Sequence, residues 1–78
     1  MNWKETESGL FCTLEFESQT ELAEFVLKLA VVSDRLEHHA DMEIRYNKLS
    51  LRIITHDAGK VTQNDWDLKD EIERLLAP

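Results

Sequence analysis

The sequence predicts an α+β domain: a four-stranded antiparallel sheet covered on one face by two helices, in the order β-β-α-β-β-α. Three observations predict it. Apolar residues alternate with a period of two over 10–16, and again on both sides of Asn47-Lys48. They recur with helical spacing over 20–37 and 62–76. No linker, repeat or low-complexity stretch interrupts the 78 residues, so 1–78 reads as a single domain.

Each element has its own signal. Residues 2–7 are a weak strand that can pair back through a turn at Ser8-Gly9. Over 10–16, Leu10, Cys12, Leu14 and Phe16 share one face, while Phe11, Thr13 and Glu15 take the other. In the helix at 20–37, Leu22, Phe25, Val26, Leu29, Val32 and Leu36 form one stripe, backed by Glu21, Glu24, Lys28 and Arg35. Ala23, Leu27, Ala30 and Val31 widen this apolar arc beyond what one sheet can cover, which points to a subunit contact or to simple excess hydrophobicity. Met42, Ile44 and Tyr46 then alternate against Glu43 and Arg45. Leu49, Leu51, Ile53 and Thr55 alternate against Ser50, Arg52, Ile54 and His56. The last helix, 62–76, opens at Thr62 with Asp65 three residues on, close to a capping-box pattern, and its stripe is Leu68, Ile72, Leu75 and Leu76.

Composition bounds the function. A chain this short buries only about 60% of the surface its unfolded form exposes, so self-association is expected. With 9 Lys+Arg against 16 Asp+Glu the net charge is −7, which repels phosphate backbones and argues against direct nucleic-acid binding. No apolar run reaches a membrane span, and the start MNWKETES has no signal-peptide pattern. The one cysteine, Cys12, excludes an intrachain disulfide and fits the reducing cytoplasm. It sits on an apolar strand face, where a thiol is inert.

Chemistry has few places to reside. Three histidines stand out: the adjacent His38-His39 and the isolated His56. Asp34 lies one helical turn before His38, where a carboxylate can accept the imidazole N–H. The pair also suits the end of a helix, where cationic character complements the dipole, and His56 also suits a solvated strand end. Asp65 falls inside the apolar stripe of the last helix, either capping free N–H groups or facing the sheet side. No HxH, HxxxH or HExxH spacing favours a metal, and no glycine-rich loop is present to cradle phosphate. Imidazoles and a carboxylate around one cleft, with no metal or nucleophile, suit proton movement in an elimination or dehydration.

The run Asp34-x3-His38-His39-Ala40, then Tyr46, His56 and Asp65, resembles the signature of the pterin-4a-carbinolamine dehydratases. That signature is an acidic residue, three positions, His-His-Pro, an aromatic, a second His and an Asp. The likeness runs through EHHADMEIRYNKLSLRIITHDAG and TQNDWDL and back to Trp3, covering nearly the whole chain. Four positions depart from the pattern: Ala40 for the proline, Met42 and Glu43 for bulky aromatics, and Asp34 for the commoner Glu. The chain also reads as starting at the first strand, without the N-terminal helical segment of longer members.

The resemblance implies a matching fold, assembly into dimers or tetramers, and dehydration of 4a-hydroxytetrahydropterin to quinonoid dihydropterin in cofactor recycling. It implies that His38, His39 and His56, with Tyr46, line the pterin pocket. His38 is expected as base and His56 as acid, with Asp65 orienting one histidine and Asp34 supporting His38. No metal or organic cofactor is implied. A second expectation on the same fold is a non-catalytic homo-oligomeric binding module, coactivator-like or an enzyme-assembly factor with a protein client. Convergence of the three histidines on one concave pocket distinguishes the two.

Overall fold

The computed structural model describes residues 2–78. Its elements are β1 (Lys4–Thr6), β2 (Gly9–Glu15), α1 (Gln19–Leu36), β3 (Asp41–Arg45), β4 (Lys48–Ile53) and α2 (Gln63–Leu76), in the expected order. The strands form one antiparallel sheet ordered β1-β2-β4-β3. Neither helix is long and apolar enough to cross a membrane.

Register explains which face is covered. Leu10 sits opposite Ile53, Cys12 opposite Leu51, and Leu14 opposite Leu49. Leu10, Cys12, Leu49, Leu51 and Ile53 are all buried, so this face meets the helices. The alternate positions Thr13 and Ser50 lie on the open face and join hydroxyls at 3.3 Å. From the other side α1 contributes Leu22, Phe25, Leu29 and Val32, and α2 contributes Leu68 and Ile72. Burying such a side chain stabilises the fold by about 1.5–3 kcal/mol.

Two turns set the edges. Gly9 has φ +130°, and a Cβ there would lie 2.6 Å from the Ile53 carbonyl oxygen, so both the backbone and the space require glycine. Between β3 and β4, Tyr46 takes φ 52° and Asn47 donates its side-chain amide to the Phe16 carbonyl at 2.8 Å.

The expected alternation ends early at one point. Ile54, assigned by period to the polar face with Ser50 and Arg52, is buried, because the ladder stops at Ile53 and the chain turns inward. Thr55 continues only as an isolated bridge to Lys60. The wide arc of α1 stays uncovered within the chain: Leu27 is 67% exposed and Val31 62%.

Candidate active site

The end of α1 determines where the histidine pair points. Ser18 caps the helix start, accepting the Glu21 N–H at 3.1 Å. At the other end Glu37 adopts the left-handed conformation (φ 53°, ψ 38°). Its N–H donates to the Asp34 carbonyl, and the His38 N–H donates to the Ser33 carbonyl at 3.0 Å, the pairing of a Schellman motif. A non-glycine residue in this conformation costs about 1–2 kcal/mol. The reversal takes His38 and His39 off the helix axis, so the i,i+4 geometry that would join Asp34 to His38 no longer applies.

The carboxylate pairing therefore differs from the expectation. Asp34 Oδ1 lies 2.8 Å from Nε2 of His39, not of His38, and both side chains are largely exposed. His38 instead meets Asp65, its Nε2 2.6 Å from Oδ1. His56 Nε2 lies 3.7 Å from Oδ2 of Asp41, the first residue of β3. Each imidazole thus has a different carboxylate, one from each of α1, α2 and β3.

Of the three, the His38–Asp65 pair is the enclosed one. Asp65 is fully buried and the His38 side chain is 14% exposed. Asp65 also accepts the Thr62 N–H at 2.7 Å, as a capping-box residue does, and the Thr55 hydroxyl at 2.8 Å, both on Oδ2. The Thr55 and Thr62 hydroxyls are 2.6 Å apart. Thr55 has a single proton and gives it to the carboxylate, so the Thr62 hydroxyl donates to Thr55. Burial pushes the Asp65 carboxyl up. The hydrogen bonds from His38, the Thr62 amide and Thr55, with the His38 charge, overcome this and hold it below the usual carboxylate value. An ionised Asp65 fixes the proton on Nε2 of His38, leaving the Nδ1 lone pair free when the ring is neutral. One Asp65 oxygen thus caps α2 through the Thr62 N–H while the other meets His38.

His38, His39 and His56 line one open hollow of about 310 Å³, with Asp41, Ile54 and Thr55 among its other walls. A hollow of similar size around Phe11 and Arg52 shares Asp41 but holds no histidine. Tyr46 is not brought to the histidines. It lies in the β3–β4 turn, at the opposite end of β3 from Asp41, and is 68% exposed. Spacing alone could not foresee this, because the strand separates the two ends by about 3.3 Å per residue. Thr55, Thr62 and Asp41 were missed in the sequence. Only the position of Thr55 beside His56 hinted at the first.

Cys12 is buried within the β2–β4 region, and burial raises its thiol pKa, so it stays a protonated core residue. Among the described residues, no three His, Cys, Asp or Glu side chains are grouped so as to hold a metal ion.

A four-stranded sheet under two helices, with three histidines gathered at the strand and helix ends, defines a class of small α+β domains built around an imidazole-lined hollow. Comparison with known proteins gives the class its family. The family described as "Pterin 4 alpha carbinolamine dehydratase" matches residues 1–75. A protein of Picosynechococcus sp. named "Putative pterin-4-alpha-carbinolamine dehydratase" is 36% identical over 94% of this chain and 79% of its own. One of the same name from Acidobacterium capsulatum is 39% identical over 95% and 80%. A solved structure, a transcriptional coactivator/pterin dehydratase from Brucella melitensis, superposes with a TM-score of 0.90. It covers 96% of this chain and 82% of that one at 18% identity, a likeness of fold. The chain belongs to the pterin-4a-carbinolamine dehydratase family.

Proposed function

We propose that the histidine hollow is where a 4a-hydroxytetrahydropterin loses water. In that step the C4a–O bond breaks, the departing hydroxyl takes a proton from one imidazole, and another removes the N5 proton. The N5 electron pair then forms the C=N bond of the quinonoid dihydropterin. Supporting this reading most directly is the His38–Asp65 pair at 2.6 Å, because the buried carboxylate both orients the ring and stabilises the imidazolium that forms when Nδ1 accepts a proton. His38 is accordingly assigned as base. His56, exposed at the mouth beside Asp41, is assigned as acid toward the hydroxyl, and His39, held by Asp34, as a substrate-contacting residue. The chemistry calls on no metal or organic cofactor.

The proposal extends to tetrahydrobiopterin recycling in the cytoplasm, for which a single unpaired cysteine is suitable. It also includes assembly with further copies of the chain. Support for assembly comes from the exposed Leu27 and Val31 on α1, and from the edge strand β3, whose Met42 and Ile44 are 40% and 47% exposed. These surfaces also suit the alternative of a non-catalytic homo-oligomeric module acting on a protein client. Turnover of a 4a-hydroxytetrahydropterin, measured for the wild type and for His38→Ala, separates the two: a pure scaffold gives the uncatalysed rate in both.

A further inference from the structure

Two short side-chain hydrogen bonds at the hollow, apart from the histidine contacts, converge on Thr55. Its hydroxyl lies 2.8 Å from Asp65 Oδ2 and 2.6 Å from the Thr62 hydroxyl. Its backbone does separate work. The Thr55 N–H donates to the Lys60 carbonyl, while its own carbonyl accepts the N–H groups of Ala58 and Gly59, at 3.1 and 2.9 Å. These bonds close the turn that carries His56. One residue therefore grips Asp65, and through it His38, with its side chain, while its main chain holds the neighbouring imidazole.

We propose that Thr55 is the positioning residue that sets His38 and His56 relative to one another, an assignment that rests on reading this hollow as the dehydration site. A proton transfer needs its donor and acceptor within a few tenths of an ångström of the productive geometry. The two imidazoles belong to different segments, the end of α1 and the turn after β4, and Thr55 bonds to the supports of both. Without the hydroxyl, the buried carboxylate loses one of its donors and the ring held on its other oxygen loses orientation. Serine can keep the bond; valine has the shape of threonine without it.

The test uses the full chain as wild type, Thr55→Val and Thr55→Ser, with ¹⁵N-labelled histidine. Ring ¹⁵N–¹H spectra are recorded beside kcat and KM for a 4a-hydroxytetrahydropterin. The expected wild-type spectrum has a slowly exchanging proton on Nε2 of His38, retained in Thr55→Ser. In Thr55→Val that signal broadens by exchange and kcat falls by about ten-fold or more, with KM within about two-fold. A Val variant that keeps both the signal and kcat overturns the assignment. In the wild type the Thr55 hydroxyl proton, held against a buried carboxylate, is expected to give its own slowly exchanging resonance; rapid exchange there overturns the assignment even where the Val variant does not fold. A wild type without dehydratase activity, whose His38 signal still responds to the two variants as stated, removes the substrate reading and leaves the positioning role standing.

Discussion

His38 and Asp65, 27 positions apart in the chain, meet at 2.6 Å because α1 reverses at Glu37 just where α2 begins with its third residue turned inward. The imidazole closes one end of a carboxylate whose other oxygen is held by Thr55 and the Thr62 amide. Asp65→Asn keeps the shape but removes the charge, and the amide can present its NH₂ to His38 and invert the tautomer. The expected loss is about 100-fold or more in kcat, with a smaller change in KM, by steady-state kinetics.

The same carboxylate makes stability depend on pH. Its folded-state pKa lies below the ordinary value of 3.8, so the unfolded chain binds the proton more readily. The stabilisation is fully present above about pH 4–5 and declines as pH falls through the folded-state value. Urea midpoints measured from pH 6 to pH 2 should fall more steeply for the wild type than for Asp65→Asn.

Asp34 offers the contrast. Its bond to His39 is short, at 2.8 Å, but the side chains are 77% and 61% exposed, so water and salt screen the pair. Asp34→Asn should change stability by less than about 0.5 kcal/mol in urea unfolding. It should also leave the His38 ring tautomer unaltered, in keeping with a partner that is His39.

Leu27 and Val31 point away from the core at 67% and 62% exposure. The assembly proposed above would bury them, and a charge there would have no compensating partner. The double substitution Leu27→Glu, Val31→Glu should shift the light-scattering mass downward at micromolar concentration and leave the far-UV dichroism unchanged. A wild type already at the mass of one chain contradicts the assembly proposal.

Much of the fold was legible because local rules matched the tertiary result. The Leu10 to Phe16 alternation, the Leu22-Phe25-Leu29-Val32 stripe and the Thr62-Asp65 cap each signal their element without long-range information. Ile54 was misassigned because period alone cannot say where a ladder ends. The gathering of His38, His39 and His56 was legible only through the resemblance, since nothing local brings the turn after β4 to the end of α1. Asp34 was matched to the wrong histidine because helical spacing was extended one residue past a left-handed reversal at Glu37. The Thr55 bond to Asp65 could not be read from sequence at all: two such residues ten positions apart carry no periodic signal.

On the proposed function, paired imidazoles in this hollow move the protons of a dehydration. Turnover of a 4a-hydroxytetrahydropterin by the wild type, His38→Ala and His56→Ala, with folding checked by circular dichroism, tests it most directly. Wild-type catalysis well above background is expected, with a loss of about 10²–10⁴-fold in each folded variant. Equal rates in all three, at the uncatalysed level, would contradict it.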